Sequence, residues 1–282
     1  MPNQLLFYSS ATPITVQRHK EWSIAPTGDY EFAGKTNSVP VMAVEFAKVA
    51  AEYALVFAGD KERIMPAAIL GMQNDANLFV DDDGKWDAKY IPAFVRRYPF
   101  VFSSGDDGKR FTLCLDEDYA GVNQEARGNR IFDDEGERTD YLTGVLEFLK
   151  EYQIEYNRTQ LFCDKLMELD LLEPMQAQIK LASGKEMSLT GFQAVSREKL
   201  NELPPDTLAA LAKTGALELI YIQLFSMKNF SEMTERLAKS LSKEESSEEA
   251  KESSSKKAKK SPSKKTKKSS KKEDKKNIGQ GR

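Results

Sequence analysis
Short apolar runs separated by turn residues fill the chain from residue 1 to about 135, and the period then changes. Leu5–Tyr8 reads as a short strand, and Tyr53–Ala58 (YALVFA) as a buried one. Ala67–Met72, Asn77–Val80 and Phe94–Phe102 add three more strand candidates, the last around Pro99. Asp81-Asp82-Asp83-Gly84 is a turn with Gly in the left-handed position. Ser103–Lys109 is an acidic hairpin turn whose return strand is Phe111–Leu115. Val41–Ala51 fits a short helix about as well as a strand. Strands joined by short turns imply a largely antiparallel sheet in this half.

From Arg138 to Leu172 the apolar positions fall at spacings of three and four: Leu142, Val145, Leu149, Tyr152, Tyr156, Cys163, Leu166. That is a long amphipathic helix, or two in line, with Pro174 marking its end. Ala177, Ile179 and Leu181 then alternate with polar residues, Ser183-Gly184 turns the chain, and Met187 and Leu189 return. Ser196 reads as an N-cap for Arg197–Leu203. Pro204-Pro205 breaks that helix, Asp206–Lys213 forms another that stops at Gly215, and Ala216 to about Leu241 is a last one. The fold class is α+β.

Charge divides the chain in two. From Lys239 onward there are 16 basic and 7 acidic residues, a net of +9, whereas Met1–Ala238 has 25 basic and 37 acidic, a net of −12. Residues 1–238 are read as a globular body, large enough to bury a core without staples. Residues 239–282 are read as a disordered low-complexity tail, because Lys, Ser and Glu bury too little apolar area to offset chain entropy. Lys256, Lys257, Lys259, Lys260, Lys264, Lys265, Lys267 and Lys268 are candidates for polyanion contact by counterion release, without aromatics to read a base sequence. An anionic membrane surface is a second such partner. The alternative is a solubilising extension with no dedicated ligand. The N-terminus lacks a secretory pattern, and no run reaches the about 18 apolar residues of a membrane span. The expectation is a cytoplasmic location, with the cell surface open only to a non-classical route.

The chemistry is sparse. His19 is the single histidine, which leaves no HExxH site and no chain-internal pair of imidazoles. No phosphate-cradling glycine loop or GxSxG elbow is present, so neither cofactor nor metal is expected. The acidic turns miss the calcium-loop template: the first-ligand positions are Phe79 and Ile131. Cys114 and Cys163 are read as buried reduced thiols. His19, in Arg18-His19-Lys20, is a candidate base or a capping side chain. Arg96-Arg97-Tyr98 is the densest basic-aromatic cluster of the acidic body. On a strand its arginines point to opposite faces, so one reaches an inward site to clamp a carboxylate or phosphate, or both pair with surface carboxylates.

Several segments carry a resemblance. They are Asn37-Ser38-Val39-Pro40 with Glu45-Phe46, Met65–Gly71 (MPAAILG), Tyr90–Phe100 (YIPAFVRRYPF), Phe132-Asp133 through Gly136-Glu137, Asp170–Pro174 (DLLEP) and Leu217–Tyr221 (LELIY). Together they resemble the SapC-like family of bacterial proteins, and the tail lies outside them. The resemblance implies an association with a bacterial surface layer, or with uptake systems through TonB-dependent receptors and halogenase-like or cupin-like gene neighbours. It carries over no catalytic residues. The leading expectation is a non-enzymatic binding or accessory protein for an unidentified protein or small molecule, with His19, Arg96, Arg97 and Tyr98 as candidate ligand contacts. The competing ones are an enzyme built around His19 and Arg96 or Arg97, and nucleic-acid binding by the tail.

Overall fold
The computed structural model describes residues 5–60, 63–104, 110–180 and 186–242. By its internal contacts the chain divides into Met1–Ser240 and Leu241–Arg282, and the first unit is described below. The tail lysines named above, the Ser103–Lys109 turn from residue 105 and the Ser183-Gly184 turn lie outside the described residues.

In chain order the strands are β1 (Ala11–Pro13), β2 (Ser23–Ile24), β3 (Ser38–Pro40), β4 (Leu55–Gly59), β5 (Ile64–Ile69), β6 (Phe100–Ser104), β7 (Phe111–Asp116), β8 (Val122–Asn123), β9 (Asn129–Arg130), β10 (Leu172–Lys180) and β11 (Glu186–Val195). The helices are α1 (Val16–His19), α2 (Phe46–Val49), α3 (Ala93–Arg96), α4 (Asp140–Glu168), α5 (Arg197–Asn201), α6 (Pro205–Lys213) and α7 (Ala216–Ser226). A 3-10 turn, Ala43–Glu45, runs into α2. The fold is α+β, with a five-stranded sheet ordered β10-β11-β4-β5-β3 and two three-stranded sheets, β1-β7-β6 and β8-β2-β9. Every strand pair is antiparallel.

The long helix follows from its sequence. Thr139 caps α4 by accepting from the Leu142 N–H at 3.3 Å, and Asp140 stands in its first turn. Its 29 residues form one helix, roughly 43 Å at 1.5 Å per residue. Leu142, Leu149, Tyr152, Tyr156, Cys163 and Leu166 are buried, as the stripe predicts. The large core joins Phe46, Tyr53, Phe57 and Phe79 to Phe162 and Leu166 of α4, and a smaller one gathers Phe100, Leu115, Ile131 and Leu142.

The sheet is also locked by polar side chains from the C-terminal helices. Gln223 accepts from the Val195 N–H at 3.2 Å and donates to the Leu55 carbonyl at 3.0 Å, while Ser226 accepts from the Leu55 N–H at 2.9 Å. Asn229 donates to the carbonyls of Ala50 and Tyr53, both at 2.8 Å. These side chains recur every three residues, Asn229 just past the break at Met227-Lys228, and all are buried.

Several expectations are corrected. Leu5–Tyr8 is a turn, and the first strand is β1. Asn77–Val80 is irregular: the Asn77 side chain donates to the Ala33 carbonyl and accepts from the Phe79 N–H, and the one bridge there is Val80 with Trp86. The strand read at Ala67–Met72 lies earlier, as β5. Pro174 does not end α4, which closes at Leu169 before Asp170 turns left-handed at φ 51°. Pro174 sits in β10, an edge strand, where a missing N–H removes no interior ladder bond. The last helix is broken at Met227-Lys228 and resumes over 229–242. Ser196 precedes α5, but its side chain makes no capping hydrogen bond.

Candidate functional site
The strand read over Phe94–Phe102 is in fact two elements. Pro92 opens one helical turn, its carbonyl accepting from Val95 at 2.9 Å and Arg96 at 3.1 Å. The Tyr98–Pro99 peptide is cis, and β6 starts only at Phe100. The arginines are therefore not on opposite faces of a strand. Helical spacing turns Arg97 into the core, 4% exposed, and leaves Arg96 outside.

A buried carboxylate fixes where this turn begins. Glu45 accepts from the Met42 N–H at 2.9 Å, the Ala93 N–H at 2.7 Å and the Tyr90 hydroxyl at 2.8 Å. Burial and the Glu45 charge together push the Tyr90 phenol up to about 12. Tyr90 then carries the Arg96 guanidinium over its ring, 5.8 Å from the centroid, with Phe148 of α4 at 5.4 Å. Arg96 Nε donates to the Ile91 carbonyl at 3.0 Å. Arg97 lies over Phe94 at 4.1 Å and Tyr152 at 5.1 Å.

Arg96, Arg97 and Tyr98 line one cleft of about 290 Å³ with Tyr119, Tyr141, Phe100 and Phe148. His19 is not among its lining residues. The His19 ring is fully buried, edge-on to Trp22 at 4.7 Å. With its proton on Nε2, it accepts from the Thr15 N–H and donates to Glu117, both at 3.2 Å. Glu117 also takes the Arg18 guanidinium by two hydrogen bonds of 2.5 Å. Those Arg18 bonds, more than the His19 contact, hold the Glu117 carboxyl below its ordinary range.

Asp116, beside Glu117, is fully buried. It accepts from the N–H groups of Ser9 at 2.8 Å, Ser10 at 3.3 Å and Asp118 at 3.2 Å, and from the Tyr98 hydroxyl at 3.4 Å. Asp133 accepts from the N–H groups of Glu135 and Glu137 within its own turn. Among the described residues no group of three His, Cys, Asp or Glu side chains is gathered for a metal ion. Cys114 and Cys163 are buried free thiols, and burial pushes the Cys163 thiol up to about 12.

A larger concavity escaped the sequence reading. Ala43 and Val44, the outer edge of α4 and the α6–α7 corner enclose an apolar groove of about 690 Å³. Phe162 and Leu211 form its buried floor, whereas Leu161 is 70% and Val44 67% exposed. Arg158 and Lys165 stand on its rim, engaged by Glu155 at 2.6 Å and Glu168 at 2.9 Å. Gly215, at φ +76°, takes the left-handed turn that lets α6 and the next helix bend by 91°. No single helix among the described residues is long and apolar enough to cross a membrane, and this bent pair meets length and apolar composition together only jointly. The sequence signal was Leu161 beside Phe162, which widens the α4 stripe past what its own core contacts need.

These features define an α+β protein with one long helix backing an antiparallel sheet, an apolar groove and a separate arginine-bearing cleft. The chain belongs to the SapC family, whose model matches residues 14–233. No curated protein and no solved structure matches it.

Proposed function
We propose that this chain is a non-enzymatic binding or accessory protein whose groove between α4 and α6–α7 holds an amphiphile with an apolar body and an anionic head. One observation carries the reading: the groove of about 690 Å³ falls within the usual size of ligand sites and has mostly apolar walls. Leu161 and Val44 stand in solvent at its mouth. Fully burying an aliphatic side chain is worth about 1.5–3 kcal/mol, and each of these two has about two thirds of its surface left to cover, so together they contribute about 2–4 kcal/mol. Arg158 and Lys165 offer the head group exposed cations whose present ion pairs are cheap to exchange. The polar centres support binding over turnover. Glu45, Asp116 and His19 each spend their hydrogen-bonding capacity on this chain. A place beside a surface layer or an uptake system suits a protein that holds an amphiphile without transforming it.

The test is titration with dodecanoate below its micelle concentration, against dodecyltrimethylammonium. Saturable binding of the anion, its weaker cationic analogue, and recovery of unaltered dodecanoate are expected. Equal binding of both, or recovery of a changed product, overturns the proposal.

A further inference from the structure
We propose a second binding site, in which the cleft of Arg96, Arg97, Tyr98, Tyr119, Tyr141 and Phe148 holds a small carboxylate borne on a planar ring. Composition is the first argument. Met1–Ala238 carries 37 acidic residues against 25 basic, yet the lining of this cleft includes two arginines and no carboxylate. Such a lining favours an anion.

Hydrogen-bonding capacity is the second. Arg96 spends Nε on the Ile91 carbonyl and reaches the Tyr90 hydroxyl only at 3.5 Å. Among the described residues no carboxylate pairs with it. The rings of Tyr90 and Phe148 hold the guanidinium plane, so its remaining N–H groups are presented without much loss of freedom. The Tyr141 hydroxyl has no hydrogen-bond partner among the described residues. Burial pushes that phenol up to about 12, so it stays a donor at neutral pH. Arg97, packed over Phe94, is the buried arginine of the lining. Two buried carboxylates stand nearby and both are engaged: Asp116 reaches the Tyr98 hydroxyl at 3.4 Å but is taken up by three backbone N–H groups, and Glu45 is taken up by the Met42 and Ala93 N–H groups and the Tyr90 hydroxyl.

Shape is the third. A bare oxyanion would satisfy Arg96 and leave the walls idle. The walls are aromatic: Tyr98 meets Tyr119 edge-on at 5.4 Å, and Phe100 meets Tyr141 at 6.0 Å. A planar ring packs against such faces and edges. The volume of about 290 Å³ suits one ring with a carboxyl group and excludes a long chain.

The experiment is calorimetric titration of the full chain with benzoate, beside acetate, inorganic phosphate and benzyl alcohol. Benzoate should bind saturably and more tightly than the other three. Arg96→Ala, on an exposed side chain, should weaken it about 10- to 100-fold, as expected for loss of charged hydrogen bonds. Tyr141→Phe should weaken it several-fold with an unchanged urea midpoint. Saturating dodecanoate should leave the benzoate isotherm where it is. The proposal is overturned by absence of saturable binding at millimolar benzoate, by acetate or phosphate binding as well as benzoate, by wild-type affinity in both variants, or by competition from dodecanoate.

Discussion

Replacing Glu45 offers a test of how the fold positions Arg96. Its carboxylate is 4% exposed and accepts three hydrogen bonds, two of them from the backbone N–H groups of Met42 and Ala93. Glu45→Ala orphans both of these buried donors. At about 1–3 kcal/mol for each, the loss is about 2–6 kcal/mol, a large share of an ordinary domain's stability. Tyr90 adds less, since its half-buried hydroxyl can turn to water. Glu45→Gln keeps the shape and one acceptor but aims an amide N–H₂ at a donor, so about 1–3 kcal/mol is lost. Ala93 opens α3, so both variants also loosen the turn that carries Arg96. The assay is urea unfolding, with linear extrapolation and a comparison of slopes. The expected order is wild type, then Gln, then Ala. An alanine variant within about 0.5 kcal/mol of wild type, the scatter of neutral surface changes, would refute the reasoning.

Further outcomes are expected elsewhere. Asn229→Ala leaves the Ala50 and Tyr53 carbonyls without their donor and should lower stability by about 2–4 kcal/mol in the same assay; no change would mean that the C-terminal helix is not latched to the segment between α2 and β4. The folded Glu117 carboxyl sits below its ordinary value, so its contribution is present above about pH 4.3 and is lost as pH falls through the lower folded value. Glu117→Gln should flatten this acid limb of the stability curve, and an unchanged limb would rule out that source. Under the tail reading, the full chain should be retained on DNA with steep salt dependence and a chain ending at residue 242 should not; equal retention excludes the lysine tail as the contact.

What was legible in the sequence follows from which forces are local. YALVFA is a continuous apolar run, and a strand buried on both faces looks like that, whereas FTLCL becomes a strand buried only over its second half. The α4 stripe needed only its own period. Arg96-Arg97-Tyr98 misled because Phe94, Val95, Tyr98 and Phe100 carry strand-forming side chains. The Pro92 carbonyl, which collects two N–H groups, decided for a helical turn, and no window average contains that bond. Glu45 reads as one more acidic residue near a helix, since its partners lie 45 and 48 residues away. His19 and Glu117 meet across 98 residues, beyond any spacing rule. Gln223, Ser226 and Asn229 resemble the wet side of a helix until the sheet they hold is placed. The groove was half visible: Leu161 and Phe162 are adjacent, but its other wall comes from α6 and α7, set by the turn at Gly215.

The most direct measurement of the binding account is calorimetric titration of dodecanoate into the wild-type chain and into Leu161→Glu. Leu161 is 70% exposed, so the substitution should leave the urea midpoint in place. It removes apolar cover from the groove and sets a negative charge where the anionic amphiphile lies. The account predicts one saturable site in the wild type and affinity at least about tenfold weaker in the variant, the effect of about 1.4 kcal/mol. Undiminished affinity in Leu161→Glu, or no saturable site in the wild type, would contradict it.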